Sequence, residues 1–562
     1  MTMAACGGPS DEGGDAATTG SSTDTGSGSN NAVIAEGWDV NPVAYEDVPE
    51  GGEFTASYGS ELDTFNLNTA AGNDAEISFA LSPVMGPWYF MDGAGALTEN
   101  PDYIDEITDE VVDGKLVVNL KINEKAVWND GQQIDADDWI ATWKAMNGSN
   151  TEFSVASTDG WKSITSVEAG ETPQDVVVTF ESTYPDWQAL FTGGPMRAES
   201  VADPATFNDG WADFNNDWFS GPFIIQSFDK TSGELVMVPN TETWWGQAPR
   251  LEKITFKMVS SAQTATAFAN GEIDYIDIAS DVDAYTQASA RSDAVIRQSL
   301  GPNYRHFTFN SQAPILSDVN LRQALVMGLD RTKIAESDLA GLPVDPTPLN
   351  NNIFMENQEG YVDLGAETGI DYDPEGAKAK LDELGWTLNE ATGFREKDGQ
   401  QLDVRFAMLT DVATSENEAL LAQNQLKEIG VNVVIQSVDT QTQWPSILDD
   451  GDFDIIAFAW IGTAWPLRNV GQIYGAGSDS NYARLDNPTL DALLPQLDSE
   501  MDEAARLKLG QDAALTIWES VHTLPLYQRP ALAGVTEGLA NVGSWGLARN
   551  PYDWTAVGYV ES

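Results

Sequence analysis

Residues able to do covalent or metal chemistry are few in this chain, and they are scattered. It has 562 residues but only two histidines, His306 and His522, and one cysteine, Cys6. With that cysteine at the extreme amino terminus, no Cys–His nucleophile pair and no Cys/His zinc cluster can be assembled. There is no Gly-x-Ser-x-Gly elbow, no phosphate-cradling Gly-x4-Gly-Lys-Ser/Thr loop and no Gly-x-Gly-x-x-Gly opening a helix. Carboxylate pairs abound, but among 88 Asp and Glu they single out no site. Asp371-Tyr372-Asp373-Pro374-Glu375-Gly376, with Asp382 at the twelfth position, partly mimics a calcium loop. Pro374 argues instead for a helix start capped by Asp373. No catalysis, no metal and no cofactor is expected. Eighteen tryptophans are many, and they suggest that some line a ligand cleft while most fill the core.

The charge narrows the partners. Eighty-eight acids against 28 Lys and Arg give a net charge of −60. Such a field repels phosphates and anionic headgroups, which disfavours nucleic acid and electrostatic adsorption to membranes. It describes a solvated acidic surface, of the kind that stays hydrated and self-screened in high salt. No stretch approaches the ~18–20 apolar residues of a membrane span, and the long apolar run at 453–461 has only strand length.

Ala4-Ala5-Cys6-Gly7 resembles a lipobox, at which a bacterial lipoprotein is cut and its cysteine lipidated. The charged and apolar segments of a signal peptide do not precede it here. Residues 7–32 are Gly, Ser, Thr, Asp and Ala without an apolar face. They read as a disordered tether with a root-mean-square span of roughly 25–30 Å. The expectation is a protein held outside the cytoplasm by lipid at Cys6, touching the membrane only through that anchor.

Folded structure is expected from about Gly52. Alternation marks strands at 53–58 and 115–122, and further strands are read at 176–180, 223–228, 235–238 and 254–258. This half is mostly β. Beyond Ser317 helices and strands alternate. Leu321, Ala324, Leu325, Gly328 and Leu329 share a helical face, and Ala377, Leu381 and Leu384 share another, closed by Gly385. A third helix, with Leu420, Leu421, Leu426 and Ile429 as its apolar residues, stops at Gly430 before a strand at 431–438. Residues 453–460 are apolar on both faces, as in a buried parallel strand. This is an α/β organisation with no internal repeat and no second linker.

Several segments, in order, resemble solute-binding protein family 5, the oligopeptide- and dipeptide-binding proteins of ABC importers. Trp128-Asn129-Asp130-Gly131 followed by Asp135-Ala136-Asp137-Asp138-Trp139 is similar to the family's turn and helix start. Ser220-Gly221-Pro222-Phe223, Pro239-Asn240 with Trp244-Trp245-Gly246 and Gly271-Glu272-Ile273-Asp274 follow its next motifs. Phe309-Asn310, Leu321-Arg322-Gln323-Ala324-Leu325, Asp330-Arg331, Tyr372-Asp373-Pro374-Glu375, Asn487-Pro488 and Leu524-Pro525-Leu526-Tyr527 follow the rest.

The resemblance covers about residues 52–560. It implies a two-lobed α/β fold of the large, three-domain periplasmic-binding type. Residues 1–50 would be the lipobox remnant and tether. Residues 51–75, 216–304 and 526–562 would form a discontinuous lobe, with an accessory domain at 76–215. The second lobe would be 305–525. By the same resemblance a monomer holds its ligand between closing lobes and delivers it to ABC permease subunits. Peptide backbones would be held by strand-like hydrogen bonds that ignore side-chain identity.

The positions it implies for ligand contact are Trp460, Thr463, Trp465, Tyr527 and Asn66. One departure stands out. Peptide binders of the family carry an aspartate three residues after the Trp, pairing with the ligand's amino terminus, and here that residue is Thr463. The missing charge, with the tryptophan content, keeps open an oligosaccharide receptor of the same fold. A surface hydrolase is the remote alternative outside the binding-protein class.

Overall fold

A computed structural model describes residues 37–562 apart from 411, 440, 441, 549 and 562. Cys6 and most of the expected tether therefore lie outside the described residues. The chain divides into two compact units. One comprises Trp38–Ser299, Asp498–Asp502 and Ala531–Ser562, and the other Leu300–Leu497 and Glu503–Pro530. The boundaries at 299/300 and 530/531 fall inside two long strands, Ala294–Phe309 and Thr523–Thr536. The lobe boundaries read from sequence, 304/305 and 525/526, lie within those same strands.

Two sheets organise the first unit. Glu53–Tyr58 runs parallel to Lys253–Met258, followed by Glu234–Pro239 and Phe223–Asp229. Alternation explains the burial: Phe54, Ala56 and Tyr58 face the core while Glu53, Thr55 and Ser57 face outward. The second sheet is antiparallel, in the order Ile104–Val112, Lys115–Ile122, Asp175–Phe180, Ile164–Ala169. Its inward residues Leu116, Val118, Leu120 and Ile122 build a separate core with Trp139 and Phe191. Helix Ala136–Met146 belongs to this core, its first turn closed by a capping box between Asp135 and Asp138. This sheet occupies the stretch expected as an accessory domain, and it is grouped with the rest of the first unit. Packed structure also begins earlier than Gly52. Val40 and Val48 are buried, Asp39 bridges to Ser544, and Trp38 meets Tyr552 edge-on at 5.8 Å. The tether drawn to residue 50 is therefore too long, because two valines and a tryptophan find apolar partners far along the chain.

The second unit is built on Thr523–Thr536, Ala294–Phe309, Ile455–Trp460, Asp403–Leu409 and Asn432–Val438 in that order. Asp403–Leu409 is parallel to both of its neighbours, with helix Ala413–Glu428 forming the crossover to Asn432–Val438. Ile455–Trp460 is central, and its residues Ile455, Ile456, Ala457 and Phe458 are buried. Asp373 accepts a hydrogen bond from Gly376 N at 2.9 Å and starts helix Pro374–Glu383, while Asp371 pairs with Arg331 at 2.7 Å. The calcium-like spacing is thus a cap and an ion pair.

The face of Ala413–Glu428 differs from the reading by apolar period. Leu420 is exposed, and the buried residues are Ser415, Glu418, Ala419, Ala422 and Leu426. A fully buried glutamate occupies a core position because Arg305 reaches it from the sheet, Nε to Oε1 at 2.8 Å and Nη2 to Oε2. No helix among the described residues is long and apolar enough to cross a membrane.

Candidate ligand-binding site

Strand Ile455–Trp460 delivers the chain to the loop that carries two of the expected residues. Its last residue, Trp460, lies opposite Tyr304 in the antiparallel register with Ala294–Phe309. Its indole stacks on Tyr482 with centroids 5.7 Å apart and lies parallel to His306 at 5.9 Å. Gly462 follows, and a Cβ there would stand 2.2 Å from Pro302 O, so only glycine lets the two backbones approach. Asn303 Oδ1 accepts from Gly462 N at 3.3 Å, and Thr463 Oγ1 accepts from Trp465 N at 3.2 Å. Side-chain acceptors thus tie the loop's backbone at two points.

Thr463 and Trp465 line a hollow of the second unit, about 380 Å³ counted out to open solvent, together with Asn352, Gln358 and Tyr474. None of its lining residues is charged. Behind it, Asn352 O receives both Tyr304 Oη at 3.1 Å and Tyr474 Oη at 2.9 Å, and the two hydroxyls are 2.8 Å apart. Asn352 Nδ2 donates to Thr523 Oγ1 at 2.8 Å, whereas its Oδ1 is buried without a partner. An unmet acceptor on a hollow's wall is costly unless a ligand or water answers it. Arg331 fixes the chain just before Asn352, donating to Leu349 O, Pro525 O and Asn350 Oδ1.

Glu356, half-buried, stands in the same segment between Met355 and Gln358 of the hollow. Burial, helped by the nearby Asp363 charge, pushes its carboxyl up to about 6. Gln528 holds its backbone by accepting from Glu356 N at 3.1 Å.

The other expected residues lie elsewhere. Tyr527 is 2% exposed, and burial beside Asp338 and Glu418 holds its phenol well above the usual range. Asn66 is in the first unit and 1% exposed. Its Nδ2 donates to Phe207 O at 2.9 Å and its Oδ1 accepts from Asn68 N at 3.0 Å. It stands on the wall of a second hollow, six of whose fifteen lining residues are aromatic. The structure thus brings Thr463 and Trp465 together, places Asn66 in a different hollow, and puts Trp460 and Tyr527 on neither wall. Sequence reading missed Asn352, Gln358 and Tyr474. The run Asn350-Asn351-Asn352, three adjacent amides, marks the first of them in the sequence.

Neither histidine is placed for acid–base work near neutrality. Burial and the Arg305 charge hold His306 well below its ordinary value, and burial lowers His522 to about 3. Among the described residues, no group of three or more His, Cys, Asp or Glu is placed to hold a metal.

The hollow is uncharged, with Asn352, Gln358, Asn469, Thr463 and Tyr474 set among a majority of apolar lining residues. Residues 95–482 match the model for the bacterial extracellular solute-binding proteins, family 5. The chain belongs to this family. It is 33% identical over 532 residues to the oligopeptide-binding protein OppA of Mycobacterium tuberculosis, covering 94% of this chain and 88% of that one. Among solved structures, the periplasmic EDTA-binding protein EppA superposes with a TM-score of 0.81 at 23% identity, over 94% of this chain and 99% of the other. AppA of Bacillus subtilis, solved with a nonapeptide, superposes with a TM-score of 0.66 at 19% identity, over 92% and 100%. The two-lobed α/β periplasmic-binding fold is therefore that of this family member. The family is one of solute-binding proteins and not of enzymes.

Proposed function

We propose that this protein captures oligopeptides outside the cytoplasm and hands them to the permease of an ABC importer, with no covalent chemistry. The observation that carries the reading is the 33% identity to an oligopeptide-binding protein along 94% of the chain. The hollow at Thr463 and Trp465 supports it, since the amides of Asn352, Gln358 and Asn469 and the hydroxyl of Thr463, set among apolar lining residues, can hydrogen-bond a peptide backbone. Closure of the two units on the ligand, as a monomer, is the mechanism the family resemblance supplies. Lipid at Cys6 would keep the receptor at the outer face of the membrane.

Native mass spectrometry of gently purified protein, followed by calorimetry with the peptides recovered, tests capture. Oligosaccharide adducts in place of peptides would overturn it. A fall in the radius of gyration on adding those peptides is expected from closure. In the full precursor, Cys6→Ser should release the protein from the membrane fraction, and unchanged retention would refute the anchor. Thr463 brings a hydroxyl but no charge to the ligand, so acetylating a peptide's amino terminus should cost less than about tenfold in affinity. Removing one member of a buried charge pair would cost about 2–5 kcal/mol, far more than that. Thr463→Asp should improve free-amine peptides selectively.

A further inference from the structure

Gln528 stands between the 355–358 segment of the hollow and the long strand Ala294–Phe309. Its side chain is fully buried, and both ends of its amide are used. Nε2 donates to Gly301 O at 3.1 Å and to Asn357 Oδ1 at 3.0 Å, while Oε1 accepts from Glu356 N at 3.1 Å. Asn357 extends the bridge, its Nδ2 donating to Leu300 O at 3.2 Å. Two amides therefore join residues 356–357 to residues 300–301. Neither amide lines the hollow, but Met355, Gln358 and Pro302 beside their partners do. We propose that Gln528 and Asn357 are positioning residues that carry occupancy of the hollow to the strand at Leu300–Gly301, where the chain passes from one compact unit to the other. The proposal rests on the peptide reading above and names the route by which a bound ligand reaches the crossing strand.

The bridge has one arrangement. Turning the Gln528 amide over would set its oxygen against Gly301 O and Asn357 Oδ1, and its N–H groups against Glu356 N. Turning Asn357 over would set its oxygen against Leu300 O. A satisfied buried network of this kind is stiff, because breaking any one bond strands a buried polar group. A shift of residues 355–358 toward a ligand therefore pulls on the carbonyls of Leu300 and Gly301 and is not absorbed on the way.

The strand can respond at that point. Ser299, one residue earlier, is tied into the first unit. Its Oγ accepts from Gly546 N at 3.0 Å and meets Ser544 Oγ, which donates to Ala531 O at 2.8 Å. Gln298 N donates to Asp39 Oδ2 at 3.1 Å. The first unit thus holds this strand up to Ser299, and the second holds it from the carbonyl of Leu300 onward. Pro302 follows Gly301 and has no N–H to give a sheet neighbour, so the ladder lacks a bond there. Movement delivered by the bridge is concentrated on the backbone torsions of Leu300 and Gly301.

Hydrogen exchange read by mass spectrometry tests this on the full chain, with and without a random hexapeptide pool at millimolar concentration. In the wild type the pool should slow exchange in both 353–358 and 298–301, each by roughly fivefold or more. Gln528→Met keeps the length of the side chain and removes all three bonds. In this variant the pool should still protect 353–358, while its protection of 298–301 falls to less than about half of the wild type's. A merely structural role would speed exchange with and without peptide and leave the peptide-dependent difference in place. Asn357→Asp keeps the acceptor for Gln528 and loses only the donor to Leu300 O, so it should show a smaller loss at 298–301. This milder variant decides the matter if Gln528→Met misfolds. Undiminished protection of 298–301 in the folded variants overturns the relay and leaves peptide capture standing. So does a wild type protected at 353–358 alone. A pool that protects neither segment of the wild type overturns the relay together with the peptide reading.

Discussion

Asp338 ends helix Arg331–Asp338, is 7% exposed, and shares its surroundings with Glu418, Arg305 and Tyr527. Arg305 is committed to Glu418, and no well-aligned hydrogen bond reaches either carboxyl oxygen of Asp338. One guanidinium cannot neutralise two buried acids, so one of them keeps its proton. Burial and the Glu418 charge push Asp338 up to about 9, against the partial opposition of Arg305.

An acid whose folded value is raised contributes its full stability only below its unfolded value of about 3.9, and that contribution is lost as pH rises toward 9. At about 1.4 kcal/mol per pH unit, holding the proton costs about 4 kcal/mol by pH 7. Asparagine matches the protonated acid in shape and cannot ionise in either state. Asp338→Asn should therefore stabilise the protein at pH 7 by about 1–3 kcal/mol, after an allowance for the exchanged hydrogen-bonding group. Its stability should exceed the wild type's by more at pH 8.5 than at pH 5.5. Glu418→Gln should do the opposite and destabilise by breaking the Arg305 pair, though by less than the roughly 3–5 kcal/mol of a stranded buried charge, because Asp338 beside Arg305 can then ionise. Urea unfolding of the three proteins at pH 5.5, 7 and 8.5 measures this. If Asp338→Asn destabilises at pH 7 and leaves the pH dependence unchanged, the carboxyl is ionised and the reasoning fails.

Gly462→Ala drives a methyl against Pro302 O and should cost about 1–3 kcal/mol of stability, with weakened ligand binding, as read by thermal shift and calorimetry. His306 and His522 are held neutral by burial, so their imidazole carbon shifts in NMR should not move between pH 5.5 and 8. A titration in that window would show that one of them is reached by solvent. With a net charge of −60, the melting temperature should rise as salt shortens the Debye length from ~10 Å at 0.1 M to ~3 Å at 1 M. A flat or falling melting curve would mean that the surface charges repel too weakly to matter.

What the sequence alone determined is local chemistry and lineage. Strand Glu53–Tyr58 was legible because a two-residue period needs only its own side chains to declare a buried face. Helix Pro374–Glu383 was legible because Asp373 and Pro374 satisfy the first turn from within four residues. The family motifs lie in consecutive short segments, so their order survives without any knowledge of contacts. Tertiary structure decided the rest. Helix Ala413–Glu428 buries Glu418 and exposes Leu420 because Arg305, more than a hundred residues earlier, supplies the partner that makes a buried acid tolerable. Trp38 and Val40 belong to the packed chain only because Tyr552 and its neighbours return to meet them. The candidate site was half visible: Thr463 and Trp465 could be placed by motif, but not Asn352 and Tyr474 beside them. A hollow is a property of surfaces that meet, and its walls come from segments whose separation along the chain leaves no periodic trace.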